Sequence, residues 1–448
     1  MIILNKKKSN KVDFLFIYES KVREIESVCL IASELERRGY SVGIMNTWPS
    51  FLYGQLLRPR CDVVFIPSAY SDRSLYILLQ KTGSAAKVIN LQWEQIYSRR
   101  DLTNPKSPWK MTGDVKKITH ISWGDVNYNK LTKTDDINSE LVKKTGHVGM
   151  DFLRPELRAF YLSKDELCKE YGIDNNTRLC LFISSFSFIN LPENMIEPEL
   201  KELFFISGKS QTVILEWFVK LLEKRDDITV IYRPHPAEAD NSELKRISGQ
   251  NDRFKVIKDY SVKQWILCCD VIYNWYSTSL GEVYFAGKSC YFLRPFPIPA
   301  EFECLIMEGL SSLTTYDEFE SSVDTEQQEL PVPKDNITEN YYFDRDHPTY
   351  LKIADIAEDI FRSKKGYLRE KRNLKEWSAN LKLVIKASSL GKILKKIRGK
   401  KEMDPKDREY LEYIGQMNLK NNITEEEFLS MKKRINDALK GADREIGD

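Results

Sequence analysis

The sequence predicts an α/β protein with two domains, each built on a parallel sheet, and a helical C-terminal extension. Its 448 residues are too many for one ordinary hydrophobic core. Short β-branched and apolar runs alternate with segments of helical length, and this alternation occurs twice. Residues 151–175 separate the two series with a capped helical segment and are predicted to connect the domains.

Composition argues against several classes of protein. The chain carries 68 Lys and Arg against 66 Asp and Glu, and a net charge of +2 disfavours a nucleic-acid binder. Its eight cysteines lie mostly in apolar runs without CxxC spacing, which predicts reduced core thiols. The first apolar run is too short for a signal peptide, and no stretch approaches the roughly 20 apolar residues that span a bilayer. We therefore expect a cytoplasmic protein that could attach peripherally to the inner face of the cell membrane.

Residues 1–150 are predicted to form the first domain. Val12–Tyr18 is typical of a buried strand, and the amphipathic helix that follows it should end at Gly39, a suitable left-handed residue. Helical or irregular segments then separate further apolar runs. These runs are 41–45, 61–67 and 86–91. Strands alternating with helices indicate βαβ units and hence a parallel sheet.

Residues 176–348 repeat this alternation and are predicted to form the second domain. In the connector before it, Ser163 and Glu166 have the spacing of a capping box. After it, residues 349–365 form an amphipathic pattern of helical period. A single helix so late in the chain is predicted to cross back onto the first domain.

Residues 366–448 are predicted to be a basic helical extension, separate from the two sheets. Between Glu376 and Glu402 there are eight Lys or Arg and no acidic residue. An apolar stripe runs through the same stretch, so residues 374–401 could dock on an anionic membrane surface. The alternative is a helical appendage that packs on the protein or on a second copy. Thr424 and Glu427 have capping-box spacing.

The sharpest motif is the segment from Arg233 to Pro236, which reads Arg-Pro-His-Pro after a β-branched run. The guanidinium of Arg233 has the geometry to bind phosphate oxygens, and His235 can donate to a phosphate or leaving group. The two prolines restrict the backbone, so these side chains would be held in place before a ligand binds. The alternative is a rigid strand exit with an exposed histidine. Histidine is scarce in the chain, with four in all, and this favours the functional interpretation.

A second polar cluster, Ser277-Thr278-Ser279, follows the apolar run CDVIYN at a predicted helix start. Hydroxyls and backbone N–H groups at such a position favour anions. Glu282 lies one turn further on and could contact a sugar hydroxyl or base. In the alternative interpretation, Ser279 and Glu282 form an ordinary capping box. Both clusters follow strands, so we expect them on adjacent strand ends, converging on one leaving group.

Glu94 is the candidate general base of the first domain. It follows the run VINL in the segment LQWEQ, and an acceptor hydroxyl needs a carboxylate or histidine to remove its proton. Glu19, Glu24 and Asp125 occupy comparable turns and stay open as alternatives. The remaining histidines are predicted to be structural: His120 and His147 beside apolar strand residues, and His347 in a chain-crossing turn.

Several sequence motifs of other enzyme classes are absent. The chain has no GxGxxG or GxxxxGKS loop for phosphates and no GxSxG nucleophile motif. No His, Cys or Asp cluster has metal-ligand spacing. Dehydrogenase, P-loop nucleotidase, hydrolase and metalloenzyme interpretations therefore lose support.

Two successive α/β domains, a connector and a crossing helix resemble the GT-B glycosyltransferase architecture, in which two Rossmann-like domains face a cleft. The motif YRPHP, followed by DYSVKQWILCCDVIYNWYSTSLGEVYFAGKSCYFL, is similar to bacterial surface-carbohydrate glycosyltransferases and the CDP-glycerol glycerophosphotransferase group. It also resembles the His-Pro and Ser/Thr motifs of bacterial sialyltransferases and Kdo transferases. The resemblance implies that His235 and Ser277, Thr278 and Ser279 hold the donor phosphate. Arg233 is added on chemical grounds.

The resemblance implies a glycosyltransferase with a CMP- or CDP-type donor on the second domain and an acceptor on the first. The acceptor would be a bacterial surface polysaccharide, such as capsule or lipopolysaccharide, or a lipid-linked glycan. Glu94 and His235 would be catalytic, and no metal or cofactor is required because side chains offset the phosphate charge. One alternative is a glycerophosphate or polyol-phosphate transferase with a CDP-linked donor. Another is a non-catalytic sugar-nucleotide binding or scaffold protein of capsule assembly.

Overall fold

The structure is a computed structural model that describes residues 2–4, 11–47, 58–187, 189, 196, 198–236, 238, 241–325, 334–369 and 405–445. Its strands are β1 Ile2–Leu4, β2 Lys11–Tyr18, β3 Val42–Asn46, β4 Arg60–Ile66, β5 Lys87–Asn90, β6 Thr119–Ser122, β7 Val142–Lys144, β8 Arg178–Ile183, β9 Ile228–Arg233, β10 Phe254–Val256, β11 Val271–Asn274, β12 Cys290–Leu293 and β13 Ser312–Leu313.

Helices of widely different length connect these strands, together with short 3-10 turns. They are α1 Lys21–Arg37, α2 Asp72–Leu79, α3 Arg99–Thr103, α4 Asp125–Asn129, α5 Pro155–Arg158, α6 Lys164–Tyr171, α7 Lys201–Lys224, α8 Ser242–Gln250, α9 Val262–Cys268, α10 Leu280–Phe285, α11 Tyr316–Val323, α12 Lys334–Asn340, α13 Thr349–Arg362, α14 Pro405–Asn421 and α15 Glu425–Glu445.

The chain divides into two compact units. The first comprises Met1–Gln95, Pro108–Gly149 and Tyr342–Asn436, and the second comprises Ile96–Ser107, Met150–Tyr341 and Asp437–Asp448. The capped segment before β8 therefore belongs to the second unit. Its capping box is confirmed, because Ser163 and Glu166 bond each other's backbone N–H groups at the start of α6.

The first unit contains a seven-stranded sheet in the order β1-β3-β2-β4-β5-β6-β7. Every pair is parallel except β1 with β3. Phe14, Leu15 and Phe16 of β2 are fully buried, as expected for a parallel strand that is covered on both faces. Helix α1 follows β2, and Gly39, with a φ of +90°, lies just beyond its end as predicted.

The late amphipathic pattern forms α13, which packs on α1 in the first unit. The Arg38 guanidinium lies 2.7 Å from the carboxylates of Asp355 and Glu358. On the apolar side, the Phe361 ring is 5.5 Å from the Phe14 ring. This helix therefore covers part of the sheet that begins the chain.

The second unit contains six parallel strands in the order β10-β9-β8-β11-β12-β13. If the six strands β8 to β13 are numbered 1 to 6, their order across the sheet is 3-2-1-4-5-6, the doubly wound arrangement of nucleotide-binding folds. The prediction that the His-Pro and Ser-Thr-Ser clusters follow adjacent strands is wrong, because β8 separates β9 from β11. After β10 the chain crosses back over β8, so strands that are close in sequence lie on opposite sides of it.

The core of the second unit is aromatic and is covered by the long helix α7. Phe182 of β8 and Phe218 of α7 are fully buried, with ring centroids 5.4 Å apart. All eight cysteines of the chain are buried free thiols, which confirms the prediction from their spacing.

Helices α14 and α15 correct part of the prediction for the C-terminal extension. Residues 405–436 belong to the first unit rather than standing apart from the sheets. Ile423, Phe428 and Ile435 are at most 7% exposed. The predicted capping box is confirmed: Thr424 Oγ1 accepts from the Glu427 N–H at 3.1 Å, and the Glu427 carboxylate accepts from the Thr424 N–H at 2.9 Å.

The basic stretch 374–401 lies outside the described residues, so its interpretation as a membrane-docking segment stays a prediction. Within the described part of the chain, no helix combines the length and the apolarity needed to cross a bilayer.

Candidate functional site

The loops that follow the six strands of the second sheet all leave it at one edge, because the carboxyl ends of parallel strands face the same way. The central strand, β8, ends at Ile183. On one side of it β9 ends at Arg233, and on the other side β11 ends at Asn274. The His-Pro loop and the Ser-Thr-Ser loop therefore flank the end of β8. This is the edge at which doubly wound sheets bind their ligands.

The His-Pro loop is organised around the carboxylate of Glu238, which is 4% exposed. Its Oε2 accepts hydrogen bonds from the His235 backbone N–H at 3.0 Å and the Ser184 hydroxyl at 2.5 Å. Its Oε1 accepts from the Tyr232 hydroxyl at 2.9 Å and the Gln211 amide at 3.2 Å. An ionised carboxylate only accepts, so it matches four donors.

Two opposing influences act on Glu238. Burial raises the pKa of its carboxyl above the ordinary value, whereas the bonds from Ser184 and the His235 N–H lower that pKa. Glu238 is not among the residues predicted from the sequence. The sequence offers one weak signal for it, an acidic residue two positions after the His-Pro dipeptide.

His235 itself is half-buried, and its backbone is fixed at both ends. Its N–H donates to the Glu238 side chain, and its carbonyl accepts from the Glu238 N–H at 2.8 Å. Pro234 before it is buried and Pro236 after it is exposed. The histidine side chain therefore projects from a short turn whose conformation is set by the protein.

Arg233 has a structural contact that its sequence position did not predict. The side chain is 7% exposed, and its guanidinium donates to the backbone carbonyls of Asp259, at 2.7 Å, and Tyr260. Tyr260 has a φ of +60°, in the left-handed region that non-glycine residues seldom adopt. Arg233 thus holds the loop between β10 and α9. Its direct contact to a donor phosphate stays a prediction.

Asn274 shapes the Ser-Thr-Ser loop. This fully buried side chain donates to the Ser277 carbonyl at 2.7 Å and accepts from the Ser277 N–H at 2.6 Å. The Ser277 hydroxyl in turn accepts from the Ser279 N–H at 3.3 Å. Ser277 and Ser279 are half-buried and Thr278 is exposed. The sequence offered a weak signal for Asn274, an amide that ends an apolar strand.

The alternative capping box of Ser279 and Glu282 is wrong. Ser279 precedes α10 with φ −62° and ψ 0°, and its side chain makes no capping hydrogen bond. An N-cap side chain bonds the helix from an extended backbone, which Ser279 does not have.

Glu282 is half-buried on α10, next to a tightly packed turn. Burial raises the pKa of the Glu282 carboxyl, and the charge of Lys263 opposes that shift. A methyl group at Gly281 would come within 2.7 Å of the Tyr341 ring, so the packing at this position requires glycine.

In the first unit, the predicted base Glu94 forms an ion pair. Its Oε1 lies 2.5 Å from Nη1 of Arg23, a residue of α1, and the Glu94 side chain is 47% exposed. The charges of Glu19 and Glu24 also act on Arg23. Carboxylates that follow β2 and β5 thus surround one guanidinium. The role of Glu94 as a general base stays a prediction.

Glu24, one of the alternatives to Glu94, is 1% exposed and lies in the first turn of α1. Its carboxylate accepts from the backbone N–H groups of Glu19 at 2.9 Å and Ser20 at 3.0 Å. Burial raises the pKa of Glu24 to about 7. A carboxylic acid that is half ionised near neutrality is unusual on a structural turn.

Comparison with known proteins gives a structural likeness alone. No family model and no curated protein matches the sequence. A histidine-to-alanine variant of the wall teichoic acid polymerase TagF superposes with a TM-score of 0.51 at 12% identity, over 78% of this chain and 89% of that one. The fold is GT-B.

Two further solved structures align with this chain at lower TM-scores. The UDP-GlcNAc 2-epimerase of Methanocaldococcus jannaschii, in complex with UDP-GlcNAc and UDP, is 12% identical with a TM-score of 0.48, over 77% of this chain and 99% of that one. Anabaena Alr3699/HepE, in complex with UDP-glucose, is 12% identical with a TM-score of 0.37, over 78% of this chain and 95% of that one.

The GT-B fold confirms the predicted class, two Rossmann-like parallel-sheet domains with a helical C-terminal extension. The predicted site residues divide between the two units. Glu94 belongs to the first. The second unit holds Arg233, His235, Ser277, Thr278, Ser279 and Glu282. Within the second unit, the two predicted loops share one sheet edge, with β8 between them.

The other histidines of the GT-B chain have structural surroundings. His120 is fully buried, with Nε2 2.9 Å from the Val115 carbonyl, and burial lowers its pKa to about 4, which confirms it as a core residue. His147 is half-buried with its ring 4.1 Å from that of Trp123. His347 is exposed, with Nε2 3.3 Å from Asp355. Among the residues that the structure describes, no group of three His, Cys, Asp or Glu could hold a metal ion.

Proposed function

We propose that this protein is a glycosyltransferase that moves a sugar from a nucleotide-activated donor, of the CMP or CDP type, to a growing bacterial surface polysaccharide or lipid-linked acceptor. The observation that carries the proposal is the sheet edge of the second unit. There the His235 loop and the Ser277–Ser279 loop flank β8, and each is held by a buried polar side chain.

The donor phosphates bind between these two loops in the proposed scheme. His235 and the hydroxyls and N–H groups of Ser277–Ser279 donate to phosphate oxygens, and so offset the charge that develops on the departing nucleotide. Because the protein already holds both loops, little conformational entropy is lost when the donor binds. Glu282 contacts the sugar or the nucleobase of the donor.

Chemistry in this scheme is a displacement at the anomeric carbon. The bond from that carbon to the donor phosphate breaks, the acceptor oxygen forms the new glycosidic bond, and its proton passes to a carboxylate. Glu94 is the proposed acceptor of this proton, with Arg23 orienting its carboxylate at 2.5 Å. The nucleotide leaves with the electron pair of the broken bond, and His235 stabilises it. No metal takes part in the scheme, so EDTA should leave the turnover unchanged.

A thermal-shift panel of CMP, CDP, UDP, GDP and ADP tests the donor class. We expect the cytidine nucleotides to raise the melting temperature most, since a ligand that binds only the folded state stabilises it. A larger shift with UDP, GDP or ADP would contradict the cytidine assignment while leaving the transferase open. No shift with any nucleotide would contradict the proposed donor site.

A second candidate is a glycerophosphate or polyol-phosphate transferase with a CDP-linked donor. The observation that favours it is the likeness to TagF, a wall teichoic acid polymerase, at a TM-score of 0.51. Donor profiling separates the candidates: turnover of CDP-glycerol supports this one, and turnover of CMP- or UDP-sugars supports the glycosyltransferase. Nucleotide binding without turnover on any acceptor would instead indicate a non-catalytic binding or scaffold protein.

We also propose that the basic stretch 374–401 places the protein on anionic lipid, where a lipid-linked acceptor would lie. Deleting the whole extension is a poor test, because 405–436 is part of the first unit. Replacing Lys395, Lys396 and Arg398 with Gln removes charge without removing that part. The substituted protein should no longer co-sediment with phosphatidylglycerol vesicles, and unchanged co-sedimentation would contradict the proposal.

A further inference from the structure

The carboxylate of Glu238 gathers donors from four places in the second unit. Ser184 follows β8, Tyr232 belongs to β9 and Gln211 belongs to α7, while the fourth donor is the His235 backbone N–H. One side chain thus joins the central strand, its neighbour and the covering helix to the His-Pro loop.

The partners of Glu238 are themselves oriented. The Gln211 amide oxygen accepts from Asn241 at 3.1 Å, which directs its NH2 group toward Glu238 and the Tyr232 hydroxyl. The Tyr232 and Ser184 hydroxyls lie 3.0 Å apart. The surroundings therefore present donors to both carboxylate oxygens.

This arrangement specifies a charged carboxylate rather than any residue of that size. The isosteric amide of glutamine would turn an NH2 group toward two donors, and a buried donor without an acceptor costs about 1–3 kcal/mol. These four donors are two hydroxyls, a side-chain amide and a backbone N–H, none of which carries a charge. The charge of Lys258 also favours the ionised form. Burial of a carboxylate still costs folding free energy, which points to a role other than stability.

We infer that Glu238 is the positioning residue of the donor site: its ionised carboxylate fixes the His235 turn against the end of β8, so that the histidine is in place before the donor phosphate arrives. The inference rests on the proposed function. Glu238 acts through the backbone N–H of His235, from which its carboxylate accepts a hydrogen bond. The ligand class that follows is a nucleoside diphosphate or monophosphate whose phosphate reaches that turn.

The test is a double-mutant cycle measured by calorimetry with CDP on the full chain. Glu238→Gln should weaken CDP binding about tenfold, the loss of one hydrogen bond to a charged group. In the His235→Ala background the same substitution should have little further effect, because the imidazole that Glu238 positions against the phosphate is already absent. Glu243→Gln, a half-exposed carboxylate on α8 that pairs with Arg246, is the matched control and should bind CDP normally.

Hydrogen exchange at the His235 amide supplies a readout that needs no ligand. Glu238→Gln should accelerate this exchange, whereas Glu243→Gln should leave it unchanged. A purely structural role would instead lower the melting temperature and reduce CDP affinity equally in both backgrounds. Additive losses of CDP affinity in the double mutant, or unchanged exchange at the His235 amide, would overturn the inference about Glu238 and leave the proposed function standing. If the wild-type protein binds neither CDP nor CMP, the proposed function fails and the inference fails with it.

Discussion

Glu24 is a carboxylic acid almost completely removed from water in the first turn of α1. Burial raises its pKa from the ordinary 4.5 to about 7, so the folded protein binds this proton more tightly than the unfolded chain does. The resulting stabilisation is fully present below pH 4.5 and is lost as the pH rises through 7. At about 1.4 kcal/mol per pKa unit, the whole effect is about 3 kcal/mol.

Replacing Glu24 with Gln should remove this pH dependence. Between pH 5 and pH 8 the free energy of unfolding should fall more for the wild-type protein than for Glu24→Gln. The wild type must ionise a buried carboxyl group over this range, whereas glutamine does not titrate. Urea unfolding of both proteins at the two pH values measures the difference. Glu140→Gln, an exposed substitution in the same unit, should follow the wild type. Parallel curves for Glu24→Gln and wild type would contradict the account.

Asn274 makes a second prediction at this scale. Asn274→Ala leaves the N–H and the carbonyl of Ser277 without their partner, which costs about 1–3 kcal/mol of stability. The Ser277–Ser279 loop should also lose its fixed shape, so CDP should bind more weakly. Denaturation and calorimetry measure the two effects, with the exposed Asn175→Ala as control. Normal CDP affinity in a folded Asn274→Ala protein would argue against this loop as part of the donor site.

Only part of the site could be predicted from residue patterns. His235 and Ser277 were identified because a polar residue after an apolar run marks the end of a strand. Glu238 was not, because its partners Ser184 and Gln211 lie at least 27 residues away in the chain. An acid close to the His-Pro dipeptide does not reveal such distant partners, and so the residues that hold a site are harder to predict than those that face a ligand.

The turn that joins α14 to α15 completes the first unit near the amino end of α1. The Asn421 amide oxygen accepts from the Lys21 N–H at 3.0 Å, and its carbonyl accepts from the Tyr18 hydroxyl at 2.9 Å. An ion pair of 2.8 Å joins Lys21 to Glu427. Helix α1 thus receives a cap from a residue 400 positions later in the chain, which no sequence pattern near α1 could predict.

Asn421→Ala should therefore destabilise the first unit. The loss of a capping side chain costs about 1 kcal/mol, and the neighbouring exposed residue offers a matched control in Asn422→Ala. Urea unfolding followed by tryptophan fluorescence measures the difference in midpoint. Equal midpoints for the two variants would show that the turn between α14 and α15 contributes nothing to α1.

At the scale of the molecule, alternating periodicity was sufficient to predict two parallel-sheet domains. Strand order was not predictable, because consecutive strands need not be neighbours once the chain crosses the sheet. In the second unit that crossing puts β8 between the two predicted loops. Strand order reverses between β8 and β11, next to the Ser277–Ser279 loop. The observed strand order therefore supports ligand binding at this edge of the sheet.

Calorimetric titration of CDP and CMP into wild type, His235→Ala and His347→Ala is the direct test of a donor site at His235. We expect wild type and His347→Ala to bind a cytidine nucleotide equally, since His347 is exposed and belongs to the first unit. We expect His235→Ala, folded to the same extent by circular dichroism, to bind at least about tenfold more weakly, the loss of one charge-assisted hydrogen bond. Equal affinity in His235→Ala and wild type would contradict a donor site at His235.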